Sequence, residues 1–406
     1  MNFDYKAIDK NGTTVEGQSE AADRFALARS LRAKGLETVV SISLATESSN
    51  RYIPSFVQGL LTHISLRDKI LFATNVSSMI KAGLSLTRAI GVMERQSRSK
   101  NFKAVLKGLS ERIERGESLS QAVKDYPNVF PAIFGAMIAA GEESGNLPDA
   151  LNIVGNQLNK TYELYRKIRG AMLYPMIVMS AIILVGVLLM IFLVPILSAT
   201  FEDLEVPLPL PTKVLIATSN FMANNTLLSL FVLIAVISSV WWYAKTTQGK
   251  HFLQKWSLKL PVIGELIKKA NAAVTMRTMS SLISAGVGMV DALLITEDVL
   301  QNVYYKQILI DTSKKVGSGT SLAESFAKHD ELYPVLVGEM VAVGEETGSL
   351  SEMLLKGAIF YEDEVEQTTK NLSTIVEPVL MVVVGIAVGF FAIAMISPIY
   401  SLVDVI

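Results

Sequence analysis

The sequence predicts an all-α, multi-pass membrane protein with two duplicated cytoplasmic helical-bundle domains, three transmembrane helices and a small N-terminal α+β module. Three observations predict it. Half of the 406 residues are hydrophobic and only 18% are charged, an oily balance for a chain of this length. The apolar excess is concentrated in three runs without any charge, at 171–197, 226–244 and 378–403. Finally, "AAGEESGNL" (139–147) returns almost unchanged as "AVGEETGSL" (342–350), an offset of 203 residues.

The N-terminal module (1–45) alternates Phe3, Tyr5 and Ala7, turns at "NG" (11–12) and returns through Val15, the pattern of a hairpin. Residues 21–34 read as a short helix stopped by Gly35, and "TVVSISL" (38–44) reads as a further strand. A polar, turn-rich linker follows, within 46–62.

Residues 63–170 then carry helical periodicity. Ile70, Ala73, Val76 and Ile80 mark one face, ended by Gly83, and Leu106, Leu109 and Ile113 mark another, ended by Gly116. Ser118 with Gln121 and Ser321 with Glu324 fit capping boxes, and Asn146 with Asp149 and Ser349 with Glu352 fit a looser version. About six helices per copy are expected, joined by short glycine turns.

Each uncharged run is long enough to span a bilayer, which takes roughly 20 apolar residues for about 30 Å of hydrocarbon. The spans are placed at 171–197, 226–244 and 375–403, with Tyr174, Trp241, Trp242, Tyr243 and Tyr400 near their ends, where amphipathic rings favour the interface. Lys160, Arg166, Lys167 and Arg169 precede the first span, and Lys245, Lys250, Lys255 and Lys259 follow the second. The loop between them (198–225) has only Lys213 against Glu202, Asp203 and Glu205. By the positive-inside rule the N-terminus and the 245–377 segment are cytoplasmic, and the C-terminus lies on the other side. No basic segment leading into a short apolar core opens the chain, so no cleaved signal peptide is expected.

The offset of 203 aligns far more than the opening motif. "KAGLSL" (81–86) meets "SAGVGM" (284–289), placing Gly83 on Gly286, and "GESLSQAV" (116–123) meets "GTSLAESF" (319–326). "VFP" (129–131) meets "LYP" (332–334), Pro175 meets Pro378, and Pro195 meets Pro398. One offset without insertions over such a length marks a duplicated domain. The second copy occupies 266–374 after a connector at 245–265. The unpaired middle span returns the chain, so both copies face one compartment in parallel orientation, unlike inverted transporter repeats.

The repeated corner itself is a candidate site: Gly141, Glu142, Glu143 and Gly145, matched by Gly344, Glu345, Glu346 and Gly348. With Asn146 and Ser349 as N-caps, the glutamates stand at the C-terminal end of the preceding helix, where acidic side chains are disfavoured by about 0.3–1 kcal/mol each. Two readings stand. Either the turn is solvated, with glycines for geometry and glutamates for solubility, or the carboxylates meet a cation or basic side chains on a neighbouring helix, the other copy or a partner.

The duplicated domain, the order of the spans, the glycine–glutamate–glutamate turns, "PLPLPT" (207–212) and the opening "FDYKAIDKNGTTVEGQSEA" together resemble the type II secretion system F family over essentially the whole chain. The resemblance implies a non-enzymatic inner-membrane scaffold of a type IV pilus or type II secretion machine. It further implies contacts with a hexameric assembly ATPase, with pilin or pseudopilin subunits and with other inner-membrane components, and a homo-oligomer in the lipid bilayer. No nucleic acid is expected among its partners. Some members bind a divalent cation in the first domain. No dedicated oxygen-ligand loop is present here, so no metal or other cofactor is assigned.

The residues also argue against other classes. There is no G-x-x-x-x-G-K-[ST] loop, G-x-S-x-G elbow or H-E-x-x-H helix, and His63, His251 and His329 are isolated. A transporter or channel would place ionisable groups inside its spans; all three runs lack them, and Glu377 lies only at the edge of the third. The acidic run "EDEVE" (362–366) is either a solvated face or a partner for basic residues around Arg166 in the first copy.

Overall fold

The computed structural model describes residues 2–8, 14–20, 38–44, 64–203 and 209–403. The chain divides into two compact units, Met1–His63 and Ile64–Ile406. In the first, β1 (Asn2–Ile8), β2 (Thr14–Glu20) and β3 (Thr38–Leu44) form an antiparallel sheet in the order β2-β1-β3. The hairpin register pairs Ala7 with Val15 and Phe3 with Ser19. The helix expected at 21–34 and the linker at 46–62 lie outside the described residues.

The second unit opens with α1 (Leu66–Lys81), α2 (Leu86–Gln96), α3 (Lys100–Glu114), α4 (Leu119–Lys124), α5 (Ala132–Glu143) and α6 (Leu147–Leu188). After a π-helical turn (Leu189–Leu193), α7 (Val194–Asp203), α8 (Leu210–Asn224), α9 (Thr226–Lys245) and α10 (Thr247–Lys259) follow. The second copy is α11 (Ile263–Ser284), α12 (Met289–Val299), α13 (Val303–Gly317), α14 (Leu322–Ala327), α15 (Val335–Thr347) and α16 (Leu350–Val403). From α2 to α6, every helix starts 203 residues before its counterpart in α12 to α16. The six glycines of positive φ among the described residues obey the same offset: 83 with 286, 116 with 319 and 145 with 348.

Each bundle closes on its periodic apolar faces. Ile70, Phe72, Ala73 and Val76 of α1 pack with Leu106 and Leu109 of α3 in the first core. Met276, Met279, Leu309 and Val341 occupy the second. The cores interlock: Leu282 and Ala292 of the second copy belong to the first core, and Leu164 of α6 belongs to the second. The N-caps are simpler than full capping boxes. Ser118 and Ser321 accept the N–H groups of Gln121 and Glu324, while the Glu324 carboxylate pairs with Lys328 instead of reaching back. Asn146 donates to the Asp149 carboxylate and does not cap its helix through the side chain.

The boundaries expected at 170/171 and 374/375 fall inside unbroken helices. α6 runs for 42 residues, roughly 63 Å at 1.5 Å per residue, and α16 for 54. Among the described residues three helices are long and apolar enough to cross a membrane: Leu147–Phe201, Thr226–Lys245 and Leu350–Ile396. The segment expected to be a loop, 198–225, contains α8. That helix joins a small apolar cluster in which Leu215 and Ile216 meet Val194, Phe201, Ala394 and Met395.

Candidate functional site

The two glycine–glutamate corners are built alike. α5 ends where Gly145 adopts φ +70°, and Asn146 N–H reaches back to the Gly141 carbonyl at 2.8 Å, closing the helix end. Gly141 lies where the next helix folds back closely: a Cβ there would sit 2.3 Å from the Ala150 Cβ. In the second copy Gly348 adopts φ +68°, and a Cβ on Gly344 would lie 2.8 Å from the Leu350 Cα. Gly83 and Gly286 terminate α1 and α11 in the left-handed region.

The first glutamate of each pair turns away from its own helix. Glu142 accepts the backbone N–H groups of Leu119, at 2.6 Å, and Ser120, at 3.2 Å, in the first turn of α4. Glu345 accepts those of Leu322 and Ala323, at 2.8 and 2.9 Å, and the Ser321 hydroxyl at 3.1 Å. These N–H groups have no partner within their own short helices, and bonds from them to an ionised carboxylate are among the stronger kind. The positive end of one helix dipole thus offsets the negative end of another. Glu142 and Glu345 therefore meet amide N–H groups, and among the described residues neither pairs with a basic side chain. Glu143 and Glu346 are exposed, and among the described residues their carboxylates make no ion pair or hydrogen bond. Nor does any bond join the first corner to the second; each belongs to its own bundle.

The acidic run on α16 ties that helix to the first copy through Glu366 and to α11 of its own copy through Glu362 and Glu364. Glu366 pairs with Lys167 of α6 and with Lys370. These two ammonium groups hold its carboxyl down to about 2 from the ordinary 4.5. Glu362 takes the Arg277 guanidinium through two bonds, and Glu364 takes Lys269 at 2.8 Å. Beside them Gln157 of the first copy is buried against the second. Its amide donates to Thr278 Oγ1 at 2.8 Å, and its carbonyl accepts the Ser281 hydroxyl at 3.2 Å. Gln157 stood outside the sequence reading; a lone amide on an otherwise apolar helical face was the available signal. A pairing of the acidic run with residues beside Arg166 is found, one residue along.

In the membrane region two carbonyls are left without helical donors by prolines at equivalent positions. In the π turn, Val194 N–H bonds to the Leu189 carbonyl, so the Met190 carbonyl would take its bond from residue 195, which is proline. The Ser219 hydroxyl supplies it instead, at 2.5 Å. In α16 the Ala394 carbonyl would be met by residue 398, also proline, and the Thr212 hydroxyl donates to it at 2.6 Å. Both hydroxyls come from α8, so one helix satisfies both spans.

Among the described residues no group of three or more His, Asp or Glu side chains is placed to hold a metal ion.

Two interlocked helical bundles, each continued without a break into an apolar span, define a duplicated multi-pass membrane protein whose polar contacts serve helix ends and seams. Sequence models of two domains, "Type II secretion system (T2SS), protein F" and its N-terminal domain, match the chain. The first covers residues 72–195 and 275–398, the same offset again, and the second covers 1–43. The chain belongs to the type II secretion system protein F family. It is 34% identical to the type IV pilus assembly protein PilC of Thermus thermophilus, over 99% of this chain and 98% of the relative. It is 32% identical to the protein of the same name from Myxococcus xanthus, over 98% and 94%. The type II secretion system protein F of Pseudomonas aeruginosa is 27% identical, over 98% of both chains.

Proposed function

We propose that this protein is the inner-membrane platform of a type IV pilus or type II secretion machine, coupling a cytoplasmic assembly ATPase to the insertion of pilin-like subunits into a filament. One observation carries the mechanical part: α6 and α16 run unbroken from bundle into span. Each helix carries a proline just inside its span, Pro175 and Pro378, where a kink is favoured. Both stay helical across it, so a displacement imposed on a bundle reaches the membrane segment through continuous helix. The bundles are cytoplasmic, at 63–170 and 266–374, and α8 and the C-terminus lie on the far side.

The partners divide by surface. Glu143 and Glu346, exposed at matched corners, face a protein partner, either the hexameric ATPase or another inner-membrane component. An apolar groove of about 370 Å³ between α6, α8 and α9, lined by Val187, Ile191, Phe221, Met222, Val232 and Val236, suits the apolar helix of a pilin or pseudopilin. The platform works as a homo-oligomer and catalyses no reaction itself.

A strain lacking the gene tests this reading. Loss of surface filaments that returns on complementation assigns the protein to a pilus machine; intact filaments with lost exoproteins assign it to a secretion machine. No change in either would overturn the proposal.

A further inference from the structure

We infer that α10 is an interfacial anchor that binds anionic phospholipid in the leaflet on the side of the bundles, holding the second bundle against the membrane. Its two faces differ sharply. Phe252 and Trp256 are spaced four apart, with Leu253 beside them, on one stripe of the helix, and Leu260 follows directly at its C-cap. In that order they are 56%, 58%, 47% and 37% exposed. Gln254 and Leu258 lie on the opposite stripe and dock on the second bundle. The Gln254 amide donates to the Gln301 carbonyl at 3.2 Å, its oxygen accepts Val303 N–H at 3.0 Å, and Leu258 packs against the second core.

Charge points the same way. Lys245, Lys250, Lys255, His251 and Lys259 lie between 245 and 264, and that stretch contains no Asp or Glu. Lys250, Lys255 and Lys259 are exposed, and among the described residues none of them forms an ion pair. A helix whose Trp, Phe and Leu stripe is flanked by lysines, Lys255 and Lys259 along one edge and Lys250 along the other, settles in the interface plane, its apolar face buried about 5–10 Å and the lysines at headgroup level. Each lysine near an anionic surface favours association roughly fivefold.

Position selects lipid over a protein partner. Only Thr246 separates α10 from α9, the span whose end carries exposed Trp241, Trp242 and Tyr243. Lys245 Nζ sits 3.4 Å from the centre of the Trp241 ring. The corner is tight: the Thr246 hydroxyl accepts Gly249 N–H at 3.1 Å, and a Cβ on Gly249 would fall 1.9 Å from the Tyr243 carbonyl oxygen. The first turn of α10 is therefore held at the level of the aromatic belt, where phospholipid headgroups lie. At its other end a γ-turn, with Val262 at φ +66° and Ile263 N–H bonded to the Pro261 carbonyl at 2.7 Å, returns the chain into α11. The docked face and the exposed face are thus fixed back to back.

The chain has three tryptophans, so Trp241→Phe with Trp242→Phe leaves Trp256 as the sole reporter in the full-length protein. The protein is reconstituted in nanodiscs of brominated phosphatidylcholine, alone or mixed with brominated phosphatidylglycerol. The expected result is blue-shifted Trp256 emission, shielded from acrylamide and quenched by the brominated chains, with quenching at least about twofold stronger in the anionic mixture. That gain disappears in Lys250→Gln/Lys255→Gln/Lys259→Gln, while the readout with the lysines intact does not depend on how that variant folds. Red-shifted emission open to acrylamide would overturn the proposal. So would shielding from both quenchers, which marks a protein surface, and so would equal quenching in the two lipid compositions.

Discussion

Glu142 and Glu345 stand at the helix end where a carboxylate is least welcome, and their hydrogen bonds explain why. Each closes the N-terminus of a facing six-residue helix, too short to hold itself. Glu142→Ala strips two N–H groups of their acceptor and should lower stability by about 0.5–2 kcal/mol, read from denaturant or thermal unfolding. Glu143→Ala removes an exposed carboxylate that has no partner among the described residues; it should leave stability unchanged and reduce filament assembly. The same scale shows how two copies of one fold drift apart inside. Phe72 and Phe130 pack with ring centres 5.8 Å apart and planes tilted by 51° in the first core; their counterparts are Thr275 and Tyr333, joined by a hydroxyl–hydroxyl bond at 3.0 Å. Burial pushes the Tyr333 phenol well above its ordinary range, keeping it a neutral donor or acceptor. Tyr333→Phe should cost about 1–3 kcal/mol by stranding the Thr275 hydroxyl, and Thr275→Val in the same chain should recover most of it. Unfolding of the two single variants and the double variant measures that coupling.

Proline inside a span removes a donor and leaves a carbonyl that lipid cannot satisfy. α8 meets that need twice, with Ser219 on Met190 and Thr212 on Ala394. It thereby ties the first and third spans to each other through hydroxyls set seven residues apart. Ser219→Ala should lower stability in nanodiscs by about 1 kcal/mol, within the range for hydrogen bonds between membrane helices. A larger loss is expected for Ser219→Ala with Thr212→Val, because both spans are then released from α8. α6 and α16 carry the coupling argued for the platform. Two glycines inserted between Arg169 and Gly170 put about 1 kcal/mol of helix cost per residue at the junction of bundle and span. The chain should still insert in the membrane, while filament number falls to that of the deletion strain. Filaments at parental number would sink the coupling.

Across the whole molecule, the copies are held together by a seam of mixed character: Leu164 and Leu282 exchanged between cores, Gln157 bonded across, and Lys167 on Glu366. Glu366 gives this seam a pH signature. Its folded carboxyl titrates near 2 and an ordinary glutamate near 4.5. The depressed value means that its contribution is complete above about 4.5 and is lost as the pH falls toward 2. Glu366→Gln should therefore lower Tm at neutral pH, and the gap between variant and parent should close over that acid window. A gap that persisted at the lowest pH would assign the loss to packing and not to charge.

By itself the sequence determined the spans, the duplication and its offset, the helix-ending glycines and the position of the corner glutamates. These are legible because run length, periodicity and left-handed turns are local properties, written within a few residues. Only the tertiary structure decided what the corner glutamates bind, since the Leu119 N–H lies 23 residues from Glu142 and several donors were chemically equivalent. The same holds for α8. Its 15 residues are too few to span a bilayer and follow a proline-rich stretch, and its place against the proline-orphaned carbonyls of Met190 and Ala394 is reached only when both spans pack beside it. Lys167 and Glu366, 199 residues apart, meet for a like reason. Charge pattern names the candidates, and the approach of the two bundles selects among them.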